Sequence, residues 1–277
     1  MRTANSLSLD VTLGSGIAFG FVHAILSQPL QGIQMLALMV AVWCAYTADH
    51  LLDSIRLVEG ICTHRHSLHR SHFAVLAGII LVLALLMSIF LIAWKQWSLL
   101  GFGLLLGSLT SVYLYIVFRW GRSAGFWLQK EGAVAGIYTL AIWGFPIWQS
   151  GLSLEPATWL AMIVFFLVVW ADILVIALHE REQDEIQGSV SFIRQIGPER
   201  ALRWIRLLLL SAALGSVSLL CFSSSWWPVT GVYLLMIGAV WLLSCQPPWL
   251  IREERYRLVA EYLMFLPILI MLQRLFM

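Results

Sequence analysis

The chain has 277 residues, 60% hydrophobic and only 12% charged, with a net charge of +2 and a mean hydropathy of +0.85. A soluble domain carries about a quarter of its residues as Asp, Glu, Lys and Arg, so the composition excludes one and describes a polytopic membrane protein. The four cysteines, Cys44, Cys62, Cys221 and Cys245, are scattered and suit neither a disulfide framework nor a zinc site.

Crossing roughly 30 Å of hydrocarbon takes about 20 apolar residues. Such segments recur near 10–27, 33–56, 71–94, 97–118, 130–149, 156–179, 200–222, 226–244 and 256–275. The expected architecture is therefore all-α: nine transmembrane helices forming a single domain over 1–277. The first run comes after a short polar stretch and no small-residue cleavage pattern follows it, so it reads as a retained helix and not a signal peptide. Its lone His23 reads as a packed polar residue.

The second run, "GIQMLALMVAVWCAYTA", is uncharged and ends in "DHLLDSIR". Asp49 and Asp53 lie four residues apart and share a helical face, with Arg56 three residues further on the same stripe. Carboxylates at the edge of an apolar span are costly unless something compensates them. Tyr46, three residues before Asp49, is on that face too.

"HRHSLHRSHF" follows, with His66, His69 and His72 at i,i+3 spacing beside His64. It lacks carboxylate or thiolate partners and reads as a headgroup-facing stretch, not a transition-metal site. The fourth run closes with "YLYIVFRWGR", which supplies Tyr115, Arg119 and Arg122; Lys130 opens the fifth. The sixth run carries Asp172, seven residues before His179 and so about 10 Å deeper on the same stripe. An acid there can take a proton from a substrate or stabilise a carbocation; the plainer reading is a hydrogen bond to a neighbouring helix. After it, "ALHEREQDEIQG" repeats the carboxylate spacing with Glu180 and Asp184, while Glu182 and Glu185 read as a solvated face. Most of the 14 tryptophans sit at span ends, as in "IAWKQW" and "SSSWWP", where an interfacial belt accounts for them.

The connections alternate in charge. Fifteen of the 17 basic residues fall at the amino terminus or in the connections after the second, fourth, sixth and eighth runs. The positive-inside rule makes that side cytoplasmic, with the amino terminus inside and the carboxyl terminus on the opposite side. Helices two and six run in the same direction, so both acidic pairs reach the cytoplasmic face. Two such pairs facing one cavity repel unless a cation joins them, and an all-oxygen ligand set suits Mg²⁺, which keeps waters and bridges to phosphates.

With these residues assembled, the chain resembles the UbiA superfamily of intramembrane prenyltransferases, nine-helix bundles with two aspartate-rich motifs. Its second motif is commonly DxxxD with Gly four residues later; Glu180, Asp184 and Gly188 stand at that spacing, with Glu in the first position. "SFIRQIGPERAL" is similar to the stretch in which a Gly precedes the next helix. Tyr115 and Arg119 match the family's YxxxK, with Arg for Lys. The first motif, usually NDxxDxxxD, departs from the pattern: Asp49 and Asp53 supply its last two aspartates, but Ala45 and Tyr46 hold the Asn-Asp positions. The arginine-proline that often follows is absent, with Arg65-His66 nearest.

The resemblance implies a UbiA-like bundle around a central cavity, with Asp49, Asp53, Glu180 and Asp184 holding Mg²⁺. Arg56, Tyr115, Arg119 and Lys130 would bind the diphosphate of a prenyl donor, and Asp172 would serve the chemistry. The reaction expected is prenyl transfer to an aromatic or other lipid-soluble acceptor within the bilayer. A terpene cyclase is the related alternative. A secondary transporter, with Asp49 and Asp172 carrying protons or Na⁺, is the alternative of another class. No phosphate loop, nucleophile elbow or nucleic-acid motif appears.

Overall fold

The computed structural model describes residues 8–56, 64–120, 130–151, 154–187, 191–251 and 255–275; the side chains of Arg56 and Asp184 lie outside what it describes. Helices account for most of the described chain, and no strand occurs among the described residues. In chain order they are α1 Leu9–Ile25, α2 Gly32–Arg56, α3 His64–Ser71, α4 Phe73–Ala93, α5 Trp97–Trp120, α6 Lys130–Gln149 and α7 Pro156–Gln187. There follow α8 Phe192–Ile196, α9 Pro198–Ser218, α10 Trp227–Ser244, α11 Pro248–Ile251, α12 Arg255–Leu263 and α13 Ile268–Leu275.

The first eight expected spans each correspond to one long helix. By length and composition six are able to cross a membrane, those built on Gly32–Ile55, Phe73–Ala93, Trp97–Trp120, Pro156–Glu182, Pro198–Cys221 and Ser224–Ser244. The ninth expected span is interrupted. Between α12 and α13 the backbone passes through turns in which Leu266 N–H donates to Leu263 O at 3.1 Å and Ile268 N–H donates to Phe265 O at 3.0 Å. Pro267 explains the break, because it has no N–H to give and its ring crowds the carbonyl four residues back, so i→i+3 bonds replace the α pattern.

Two connections are themselves helical. The acidic stretch after the sixth span is a continuation of α7, whose 32 residues extend about 48 Å. The histidine-rich stretch forms α3. Tight reversals join the antiparallel neighbours: Lys95 takes φ 55° between α4 and α5, where Gln96 N–H caps Leu91 O at 2.8 Å. Gly197 takes φ 84° between α8 and α9, a conformation suited to glycine, and Pro198 then opens α9 where its missing N–H costs nothing.

The helices pack in the order α2, α4, α5, α6, α7, α9 and α10, with α12 and α13 each packed against α10 and α1, and α1 also against α2 and α6. The buried residues form one cluster, densest where α7 meets α6, α9 and α10, around Trp143, Phe165, Tyr233 and Leu209. Here Tyr233 donates its hydroxyl to Ala161 O at 2.9 Å. α4 and α5 bury little and present Leu81, Leu85, Leu104 and Val112 outward. Such all-round apolar helices are stable only in lipid. His23, 1% exposed, is packed against Phe19 at 4.6 Å between ring centroids.

Candidate active site

A cavity of about 370 Å³ lies between α2, α4, α5 and α6. Its walls are mostly small and apolar, including Ala41, Ala45, Ala84, Gly103, Gly107 and Ala141, and small side chains on facing helices are what leave the space open. Polar groups concentrate toward one end, where Asp49, Tyr46 and Tyr113 join the lining.

Lys130, the first residue of α6, stands at that end. Its ammonium interacts with Asp49, then Asp53, then the Tyr113 phenol and the adjacent Glu131. A cation in the first turn of a helix opposes the positive end of the helix dipole, so the carboxylates of α2 are what hold Lys130 in place. They are in turn the acids that close an uncharged span, and Lys130 is a cation that meets them. Sequence spacing alone could not pair them, since 77 residues separate Asp53 from Lys130.

Glu131 is 5% exposed and its Oε1 accepts a hydrogen bond from Phe192 N–H at 2.9 Å. This joins the start of α6 to α8, the segment after the acidic end of α7. The start of α6 and the segment after α7, two of the stretches that carry basic residues, thus meet.

The second acidic pair has a different neighbour. Glu180 Oε1 lies 2.8 Å from Arg257 Nε, both side chains mostly buried. His179 stacks on Tyr256 at 4.5 Å and 19°. Glu180 is therefore locked to α12, and Asp184 follows one turn later on α7 with its side chain outside the described set. Glu182, 83% exposed in its side chain, lies 3.9 Å from Arg181, and Glu185 is exposed too, as expected of a solvated face.

Register separates the tyrosines of α5. Tyr113 is buried and lines the cavity, whereas Tyr115 is 61% exposed and Arg119 is exposed. Two residues on a helix are about 200° apart, so both tyrosines cannot face the cavity. The structure brings Tyr113 to Asp49, Asp53 and Lys130 and leaves Tyr115 against Trp120 at 6.1 Å. Tyr113 is the site residue that sequence reasoning missed; its only signal was the burial side of α5, which the all-round apolar sequence hides.

Tyr46 does line the cavity. One turn along, His50 meets His69 of α3 at 5.2 Å between ring centroids, while His72 is exposed and bonds to Ser71 Oγ at 2.8 Å; the side chains of His64 and His66 lie outside the described set. Among the described residues, no group of three or more His, Cys, Asp and Glu side chains is arranged to hold a metal. Asp172 is 6% exposed, deep on α7, in electrostatic contact with Tyr138 of α6.

No family model and no curated protein sequence matches the chain. Solved structures do. The apo structure of a UbiA homolog from Aeropyrum pernix K1 superposes with a TM-score of 0.65 at 14% identity, covering 97% of this chain and 98% of that one. A digeranylgeranylglyceryl phosphate synthase structure gives a TM-score of 0.52, also at 14% identity, with 98% and 93% covered. The chain has the UbiA-superfamily fold.

Proposed function

We propose that this UbiA-fold chain is an intramembrane prenyltransferase that moves an isoprenyl group from a prenyl diphosphate to a hydrophobic acceptor. The observation that carries the reading is the cavity: an apolar pocket among membrane helices, with Asp49, Tyr113 and Lys130 at one end. A prenyl chain suits the Ala- and Gly-lined part, and a diphosphate suits the end where a lysine ammonium meets a helix N-terminus. The synthase among the structural neighbours makes, by its name, digeranylgeranylglyceryl phosphate.

Lys130 would bind the departing pyrophosphate, stabilising the charge that develops as the C–O bond breaks. The Tyr113 hydroxyl has no hydrogen-bond partner among the described residues and would donate to the same group. Arg119 and Arg56 belong to the same proposal at the end of the cavity nearest the basic connections.

The donors fit a hard divalent cation. Asp49 and Asp53 offer carboxylate oxygens one turn apart, and Mg²⁺ commonly takes one or two carboxylates and completes its shell with water and substrate phosphate. Asp49 and Asp53 would hold it, with Asp184 and, released from Arg257, Glu180 from α7. When bound, the ion supplies positive charge against the leaving pyrophosphate. Asp53 and Asp49 meanwhile orient Lys130, and the surrounding apolar helices keep bulk water from the allylic cation. The mouth of the cavity is assigned to the cytoplasmic side, where most of the basic residues stand.

The test is pyrophosphate release by purified protein given C10 to C20 diphosphates, Mg²⁺ and an aromatic acceptor. Release coupled to a prenylated product is expected. No release with any donor would overturn the reading.

A further inference from the structure

Small side chains open the cavity, and large ones set where it stops. Val42, Ala84, Gly103 and Ala141 line its deep end. One or two helical turns further from the charged mouth stand Leu38, Leu91, Leu99 and Phe145, on the same stripes of α2, α4, α5 and α6. All four are at most 7% exposed and belong to the buried cluster. Phe102 seals the joint between α5 and α6 at this level, 5.7 Å from Phe145 between ring centroids. Its ring lies so close over Gly144 that a β-carbon there would strike it.

The burial pattern of α4 and α5 marks the same limits. The buried residues are Leu76 and Leu91 along α4, and Leu99, Tyr113 and Val117 along α5. Both helices are thus pinned near the mouth and near their reversal, and between those points they stand off and line the cavity. From Tyr113 to Gly103 is ten residues, about 15 Å of helix; from Asp49 to Ala41 is eight, about 12 Å.

An extended chain gains about 1.2 Å per bond, going by roughly 3.6 Å for each three-bond residue. An isoprene unit, four bonds long, therefore covers about 5 Å, and three units reach from the charged mouth to the floor. Volume gives the same length. An apolar cavity of about 150 Å³ takes one benzene, six carbons, so 370 Å³ has room for about 15. We infer that the floor of Leu38, Leu91, Leu99 and Phe145 makes the cavity a length gauge for a donor of three isoprene units, with a fourth unit excluded. The inference rests on the proposed prenyl diphosphate reading and adds which donor the site takes and which residues select it.

Prenyl thiolodiphosphates of C10, C15 and C20 read the gauge without turnover, because their bridging sulfur resists ionisation. Binding is measured by equilibrium dialysis of the detergent-solubilised full chain with Mg²⁺, and a detergent-only cell subtracts micelle partition. The wild type should bind the C15 analogue about tenfold more tightly than the C20, the scale of forcing an extra group into a packed core. A side chain added at Gly107 meets nothing within 4 Å, and on α5 it leans toward the floor. Gly107→Leu should therefore fold normally and move the preference to C10. Leu99→Ala should open the floor and bring C20 within about threefold of C15. Equal binding of C15 and C20 by the wild type, as when a longer chain leaves between α4 and α5 into lipid, would overturn the inference. So would an unchanged preference in Gly107→Leu, and this variant decides if Leu99→Ala fails to fold. A C15 preference without pyrophosphate release from the ordinary diphosphates would instead reject the transferase reading and leave the gauge standing.

Discussion

Glu131 Oε1 and Phe192 N–H are 2.9 Å apart across 61 residues of chain, and this bond fixes the start of α6 to the segment following α7. The bond matters because Lys130 precedes Glu131 directly. A hydrogen bond to a buried charged acceptor contributes about 1.5–3 kcal/mol, and removing it strands the partner N–H. Glu131→Ala should lower stability by about that amount, measured by denaturant titration in mixed micelles. Glu131→Gln keeps an acceptor oxygen and should lose much less.

Lys130 interacts with Asp49 and Asp53 and would receive the pyrophosphate. Lys130→Met should reduce turnover by roughly a hundredfold or more, the scale of removing one preorganised electrostatic donor. It should also leave the two aspartates repelling one another, so that added Mg²⁺ stabilises the variant against thermal unfolding more than it stabilises the wild type. A thermal series with and without Mg²⁺ checks both parts, and Lys130→Arg should recover part of the rate.

The register of α5 makes opposite forecasts for two tyrosines. Tyr113→Phe should raise the KM for prenyl diphosphate several-fold, because it deletes a buried hydroxyl aimed at the site. Tyr115→Phe, on the exposed face, should leave kcat and KM within about twofold of the wild type. Steady-state kinetics on the pair decides whether the inward tyrosine is the working one.

The acidic residues should divide by location. Asp49→Asn and Asp184→Asn are expected to lower kcat/KM far more than Glu185→Gln, since a group that meets transition-state charge affects rate and a solvated one does not. Equal effects of all three across a Mg²⁺ titration would reject carboxylate ligation at Asp49 and Asp184.

Topology is open to labelling in intact cells. A cysteine replacing Glu182, on the exposed face of the extended α7, should react only after the membrane is made permeable. A cysteine replacing Lys95, in the α4–α5 reversal, should react from outside. The reverse pattern would move the charged mouth of the cavity to the other side.

The sequence by itself determined the helices, because spanning hydrocarbon demands about 20 apolar residues and hydropathy is a local property. It determined that Asp49, Asp53 and Tyr46 share a stripe, because helical periodicity is local too. It did not reveal the break around Pro267, where the apolar run continues while the hydrogen-bond pattern changes. What only the tertiary structure decided was which charge meets which: Lys130 with Asp49 and Asp53, and Glu180 with Arg257. In lipid every face of a helix can be apolar, so α5 carries no pattern that tells Tyr113 from Tyr115. Only packing against α2 and α6 turns one of them toward the cavity and leaves the other outside.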